Sequence, residues 1–84
     1  MTGPVDEVVL RAVVPQVIAV LVRRGVDFAA AEDAVQDALV EALRSWPRDA
    51  PHDPKGWLVT VAWRRHLDVV RSESARRQIG RAHV

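Results

Sequence analysis

The stretch PRDAPHDP, residues 47–54, constrains the fold more than any other feature because it holds three prolines in eight residues. Proline fixes its own φ angle and restricts the residue before it, so no regular element can cross this stretch. The segments on either side must therefore be separate elements joined by a stiff loop. Asp53 followed by Pro54 has the residue types of an N-cap and a first helical position, which predicts that a helix begins at Pro54.

The segment from Pro54 to about Arg77 is predicted to form the last and longest helix, with Gly56 as a small liability in its first turn. Placed at 100° steps, its residues separate into an apolar side and an opposite polar stripe. The apolar side consists of Leu58, Val59, Ala62, Trp63, His66, Val69 and Val70. The polar stripe consists of Trp57, Thr60, Arg64, Asp68 and Arg71, with Arg65 at its border. After Ser72 the sequence is almost entirely polar, so this end is expected to fray.

A second predicted helix runs from about Asp27 to Trp46, between a suitable N-cap and the first proline of the loop. An apolar stripe at helical spacing predicts the face that this helix buries. The stripe consists of Ala31, Val35, Ala38, Leu39, Ala42 and Trp46. Another, polar face carries Asp33, Gln36, Asp37 and Glu41.

The first predicted helix runs from Val5 to Arg24, after a frayed start at residues 1–4. Pro15 removes a backbone donor and clashes with the preceding turn, so a kink or break is expected near residues 13–14. Gly25 occupies the place of a C′ glycine that ends the helix. Apolar residues recur at helical spacing, and no segment between turns shows the apolar–polar alternation of a strand. The sequence therefore predicts an all-α fold, a compact bundle of three to four helices in which the last helix is long.

The chain of 84 residues is predicted to form one small domain, residues 1–79, followed by a tail, residues 80–84, that is either a linker or an addition from cloning. The absence of cysteine excludes disulfides and thiolate metal sites. No apolar run approaches the roughly 20 residues that span a bilayer, and the N-terminus lacks a signal-peptide pattern. We therefore expect a cytoplasmic protein with no membrane partner.

The net charge of +1 conceals two oppositely charged segments. Residues 25–43 contain five acidic and no basic residues, whereas residues 64–81 contain six arginines against two acidic residues. This split suggests two charged surfaces for two partners, and the basic one is a candidate nucleic-acid surface. A pair of solvated helix faces is the simpler explanation of the charges alone.

No arrangement for catalysis or for metal binding is recognisable in the sequence. His52, His66 and His83 are far apart and have no carboxylate or cysteine at ligand spacing, and no glycine-rich phosphate loop is present. His66 falls on the apolar side of its helix, where a core histidine is more common than a ligand, so a hydrolase that uses His66 is the least favoured hypothesis. We expect no enzyme activity, no metal and no cofactor.

Arginines and a tryptophan on one helix face are a stronger lead. Arginines contact phosphates and base edges, and tryptophans stack on unpaired bases with about 1–3 kcal/mol each. Trp63 falls with the apolar side, which favours core packing. For Trp57, beside the stiff loop, core packing and base stacking both remain open.

Two motifs in order resemble the second conserved region of bacterial sigma-70-type factors: AEDAVQDALVEAL, residues 31–43, and GWLVTVAWRRHLDVVR, residues 56–71. The extracytoplasmic-function class is the most similar, with an AED-x-x-Q-[ED] helix followed by a WL…A-x-N-x-x-x-D-x-x-R helix. The resemblance extends from Val5 to Arg77. Either motif alone would be weak, whereas the two together are specific.

The resemblance implies a surface for the RNA polymerase core and a surface for promoter DNA. In the family, the first motif binds the clamp helices, a coiled coil of the polymerase β′ subunit. The second motif and the loop before it bind the minus-ten element, help to melt it and pocket a flipped-out base of the non-template strand. The implied polymerase-binding residues are Asp33, Gln36, Asp37, Val40 and Glu41. The implied DNA-binding residues are Arg48, Lys55, Trp57, Thr60, Arg64, Arg65, Asp68 and Arg71.

Two positions depart from the family pattern. Arg64 replaces the usual asparagine, which is compatible with a stronger phosphate grip and a different base preference. Trp63 replaces the usual basic residue, which either removes an arginine contact or adds a stacking group. Both changes bear on the promoter sequence more than on the function.

The family also carries a helix-turn-helix domain that reads the minus-thirty-five element, and this chain ends before it. We expect either an excised fragment, which is favoured, or a truncated gene product. An anti-sigma factor or a C-terminal regulatory domain is a further candidate partner. The alternative hypothesis is a helical interaction or oligomerisation module without a DNA role, in which the acidic and arginine-rich faces pair between chains.

Overall fold

Three α-helices make up the described part of the chain: α1 (Glu7–Arg23), α2 (Phe28–Ser45) and α3 (Pro54–Ala82). The structure is a computed structural model that describes the backbone of residues 7–82 and the side chains of residues 8–76. No strand occurs within residues 7–82, and the predicted all-α bundle is confirmed with three helices. None of the described helices combines the length and the apolarity needed to cross a bilayer. The expected fraying of residues 1–4 lies outside the described residues.

The turn between α1 and α2 ends at a glycine, as predicted. Gly25 has a φ angle of 99°, which favours glycine because it has no Cβ. Its N–H donates to the Val22 carbonyl at 2.9 Å, and the Val26 N–H donates to the Leu21 carbonyl at 3.0 Å. These two bonds form a Schellman motif, and both Val26 and Leu21 are buried. The motif therefore fixes the direction in which the chain enters α2.

Pro15 does not break α1, so of the kink or break expected near residues 13–14, the break is wrong. The helix continues through Pro15, whose own side chain is exposed. A proline inside a helix costs about 3 kcal/mol. Burial of Leu10, Val17 and Leu21, which share one face across the proline, contributes roughly 1.5–3 kcal/mol for each side chain. Packing of this face therefore outweighs the local cost.

Helix α2 begins and packs as predicted, and it contacts both other helices. The Asp27 carboxylate caps it by accepting a hydrogen bond from the Ala30 N–H at 3.2 Å. The predicted stripe is buried except for Leu39, which is only partly covered, and Ala34 is buried beside it. Most buried residues of α2 are alanines, which allow α1 and α3 to approach it closely.

The start of α3 confirms the predicted cap and corrects the reading of Gly56. The Asp53 carboxylate accepts a hydrogen bond from the Gly56 N–H at 3.1 Å, directly before Pro54. A Cβ atom on residue 56 would overlap with this carboxylate. The glycine is therefore more than a weak point of the first turn, because it leaves room for the cap.

The far end of α3 differs from the prediction in two respects. The helix continues to Ala82, beyond the predicted end at Arg77, and it includes part of the predicted tail at residues 80–84. Val69 and Val70 are 50% and 44% exposed, so the predicted apolar side leaves the core after His66. The reason is length: α3 has 29 residues and its main partner α2 has 18, so α3 extends past the residues that could cover it.

Candidate nucleic-acid interface

The loop between α2 and α3 rests on a pair of tryptophans. Trp46 is buried, and Trp57 packs against it edge-on, with ring centroids 5.2 Å apart and ring planes at 73°. Such edge-to-face pairs contribute about 0.5–1.5 kcal/mol beyond their burial. Trp57 is therefore partly buried against the core, which favours the packing alternative and leaves only part of its ring for a ligand. Within the described part of the chain, the buried Trp46 indole N–H has no hydrogen-bond partner.

The polar stripe of α3 is exposed along its length beyond Trp57. Thr60, Arg64, Asp68 and Arg71 all face solvent, so the structure brings the predicted stripe together on one open surface. Asp68 and Arg71 form a loose ion pair at 3.7 Å, and both side chains are largely exposed. Such a pair contributes little to stability and leaves the arginine available to another anion.

Two further predicted DNA residues lie at the end of this surface nearest the loop. Arg48 and Lys55 are both exposed, one within the loop and one in the first turn of α3. Neither forms an ion pair with a described residue. The loop therefore offers basic side chains at its beginning and its end.

Arg65 and Glu41 connect the two predicted binding surfaces. The Arg65 guanidinium donates a hydrogen bond of 2.7 Å to the Glu41 carboxylate, across from α3 to α2. The two side chains are 46% and 44% exposed, so water screens the pair. The structure therefore places a residue of the predicted DNA set in direct contact with a residue of the predicted polymerase set.

The exposed face of α2 combines acidic and apolar groups. Asp33, Gln36 and Asp37 face solvent, and Val40 is 49% exposed. Leu43, which sequence reasoning did not assign to this surface, is 55% exposed. Its spacing of three residues from Val40 is the signal that could have identified it. An open apolar hollow of about 190 Å³ continues from this face towards α1, lined by Leu10, Arg11, Val14, Leu39 and Leu43.

A third feature, which spacing along the chain could not predict, joins the end of α1 to α3. The Arg24 guanidinium carbon lies 5.1 Å from the centre of the Trp63 ring, within the range of a cation–π contact. The His66 ring lies on the same tryptophan, with centroids 5.8 Å apart. Trp63 is partly buried and packs against the core, as its position on the apolar side predicted. His66 is also partly buried and is not exposed as a free ligand.

A second hollow, of about 270 Å³, lies between α2 and α3 and contains mixed charges. Its polar lining consists of Asp27, Asp33, Asp37, Arg65, His66 and Glu73. Among the residues with described positions, no three histidine or carboxylate side chains converge on a point that could hold a metal ion. The hollow is a charged groove at the edge of the predicted polymerase surface.

Comparison with known proteins gives a family for this arrangement. The family model described as "Sigma-70 region 2" matches residues 9–76, which include nearly all of the three helices. An uncharacterized protein of Rhizobium meliloti (strain 1021) is 38% identical over 74 residues, covering 87% of this chain and 17% of that protein, so the chain spans less than a fifth of its length. No solved structure matches. The chain belongs to the sigma-70 region 2 family.

Proposed function

We propose that this domain is the promoter-binding and polymerase-binding part of a sigma factor of the extracytoplasmic-function class, acting in the cytoplasm. Helix α2 binds the clamp helices of the β′ subunit. The loop and the polar stripe of α3 bind the non-template strand of the minus-ten element and help to melt it. The observation that carries the proposal is the presence of two exposed surfaces of opposite chemistry on adjacent helices of a sigma-70 region 2 domain.

Three properties of the DNA surface support its assignment. Arg64 and Arg71 are exposed on one stripe, so both can reach the same backbone. The loop before α3 contains three prolines and is anchored by the Asp53 cap, which reduces the entropy lost when it accepts an unpaired base. Trp57, the first residue of the stripe, supports this loop through its contact with Trp46 and is only partly buried.

The surface of α2 suits a basic helical partner with apolar contacts. Residues 25–43 have a surplus of five acidic residues, which attracts a basic surface and steers its approach. Val40 and Leu43, both about half exposed, supply apolar area beside Asp37. An apolar centre with a polar, solvent-accessible rim is the common arrangement of a protein interface.

The DNA assignment is tested by binding of a fluorescent single-stranded DNA pool of mixed sequence. Arg64→Ala and Arg71→Ala are each expected to weaken binding several-fold and to reduce the slope of log K against log salt by about 0.7 per lost phosphate contact. Arg11→Ala, which removes an exposed arginine from α1, is the control for net charge and is expected to change little. Unchanged binding in both stripe variants would overturn the DNA role. Sequencing the retained strands reports which bases are preferred.

The polymerase assignment is tested with a purified β′ clamp-helix fragment. Asp37→Lys is expected to weaken binding at least tenfold, because it places a positive charge against a basic surface, and Gln36→Ala is expected to weaken it less. Asp49→Lys makes the same charge change in the loop and serves as the control. If Asp37→Lys and Asp49→Lys have equal effects, the α2 surface is not the polymerase site. Concentration-dependent self-association that Asp37→Lys abolishes would instead favour the oligomerisation module.

A further inference from the structure

Arg24 is held in a fixed place at the junction of α1 and α3. Its backbone lies in the Schellman turn that ends α1, where its N–H bonds to the Val20 and Leu21 carbonyls at 3.2 and 3.0 Å. Its side chain lies over the Trp63 ring, 5.1 Å from the ring centre. Both ends of this long side chain are therefore restrained, although the residue is exposed to solvent.

The charge of Arg24 is not compensated within the described part of the chain. The two ion pairs found there are Arg65 with Glu41 and Arg71 with Asp68. A cation–π contact uses the face of the guanidinium and leaves its N–H groups free to donate at the edge. Arg24 therefore presents a full positive charge and several free donors, whereas Arg65 must first lose its hydrogen bond to Glu41.

The contact with Arg24 also limits what Trp63 can do. One face of the ring is covered by the guanidinium, and the His66 ring packs against the same indole. Trp63 is also partly buried, so it does not offer an open face on which a base could stack. Its remaining role on this surface is to hold the arginine.

The position of this pair connects it with the polar stripe. Trp63 precedes Arg64 directly, so their side chains leave α3 about 100° apart around the helix. Trp63 stands where the family resemblance expects a basic residue. The Arg24 side chain, which comes from another helix, returns a positive charge to that position.

We propose that Arg24 is a further contact for a phosphate group of the bound DNA strand and that Trp63 is its positioning residue. The inference rests on the proposed DNA-binding function and extends the binding surface from α3 to the end of α1. A guanidinium that stays charged and pre-positioned loses little freedom when it binds a phosphate.

The test uses the whole chain and the mixed-sequence single-stranded DNA pool, with affinity measured between about 50 and 200 mM salt. Arg24→Ala is expected to weaken binding about threefold to tenfold at the low end of this range and to reduce the salt slope by about 0.7. Arg23→Ala removes the neighbouring exposed arginine, which has no contact with Trp63, and is the matched control. Trp63→Leu is expected to weaken binding, and Arg24→Ala should add little in that background, because the two residues act as one unit.

The outcomes separate this inference from the proposed function. If Arg64→Ala weakens binding but Arg24→Ala leaves both the affinity and the salt slope unchanged, the phosphate contact is wrong and the proposed function stands. If Arg23→Ala and Arg24→Ala have equal effects, Arg24 acts only through net charge, and the inference is also wrong. If neither Arg24→Ala nor the stripe variants change binding, the proposed function itself fails. A lower melting temperature of Arg24→Ala with an unchanged salt slope would show a purely structural role.

Discussion

At the start of α3, Asp53 and Gly56 depend on each other. In its present position, the Asp53 carboxylate that accepts the N–H of residue 56 occupies the space that a Cβ on this residue would take. Helix propensity alone predicts that alanine at this position would be better by roughly 0.5–1 kcal/mol. The full loss of an N-cap costs about 0.5–2 kcal/mol, so any weakening of the cap works against that gain.

We therefore predict that Gly56→Ala in the native chain raises the free energy of unfolding by less than helix propensity alone gives, because the carboxylate must move from its present position and the cap bond is weakened. In the Asp53→Ala background the same substitution is expected to raise stability by roughly 0.5–1 kcal/mol, since no cap remains to be disturbed. Thermal or urea unfolding of the four variants measures both effects. An equal, stabilising effect of Gly56→Ala in both backgrounds would show that Asp53 does not need the space.

Among single residues, local contacts could be predicted from the sequence, and contacts between helices could not. The caps at Asp27 and Asp53 and the glycine turn at Gly25 were predictable because they depend on neighbours within five positions. The contact of Arg24 with Trp63 was not, because it depends on how α1 crosses α3. The choice between core packing and base stacking for Trp57 likewise depends on where Trp46 lies in space, and spacing along the chain does not give that position.

At the scale of elements, the ends set by local chemistry were predicted well and those set by packing were not. Helix α2 lies where its N-cap and Pro47 indicated. The continuation of α1 through Pro15 depends on buried side chains on both sides of the proline, which a local rule does not weigh. The continuation of α3 past Arg77 to Ala82 had no clear local signal, because residues 78–82 have no apolar face and include Gly80, which helix propensity disfavours.

The different lengths of α2 and α3 also explain the composition of the candidate site. Every side chain from Asp68 to Arg76 is exposed, because α2 is too short to cover this part of α3. Arg71 and Arg76, in the last turns with described side chains, are therefore largely exposed to solvent. The helical spacing of apolar residues predicts that α3 is a helix, but the length of α2, which packs against it, determines where the buried part of α3 ends.

At the scale of the whole molecule, the two predicted binding surfaces are in contact through Arg65 and Glu41. Their hydrogen bond of 2.7 Å crosses from the predicted DNA surface to the predicted polymerase surface. In the free domain the carboxylate therefore neutralises an arginine of the predicted DNA surface. Since both side chains are nearly half exposed, the pair stabilises the fold by only about 0.2–1 kcal/mol and can open at low cost.

We therefore predict that Glu41→Gln strengthens binding of the single-stranded DNA pool by about twofold to threefold at low salt, because it releases Arg65 for a phosphate. The free energy of unfolding is expected to change by less than about 1 kcal/mol. Glu32→Gln removes the same charge from another exposed position of α2 that has no bond to Arg65, and it is the matched control. In the Arg65→Ala background, Glu41→Gln should have no effect beyond that control. A gain of equal size from Glu32→Gln would mean that net charge alone is responsible. An effect confined to Glu41→Gln, and absent without Arg65, would show that Glu41 competes with DNA for Arg65, and we then expect a partner that engages the Glu41 carboxylate to increase the affinity of α3 for DNA.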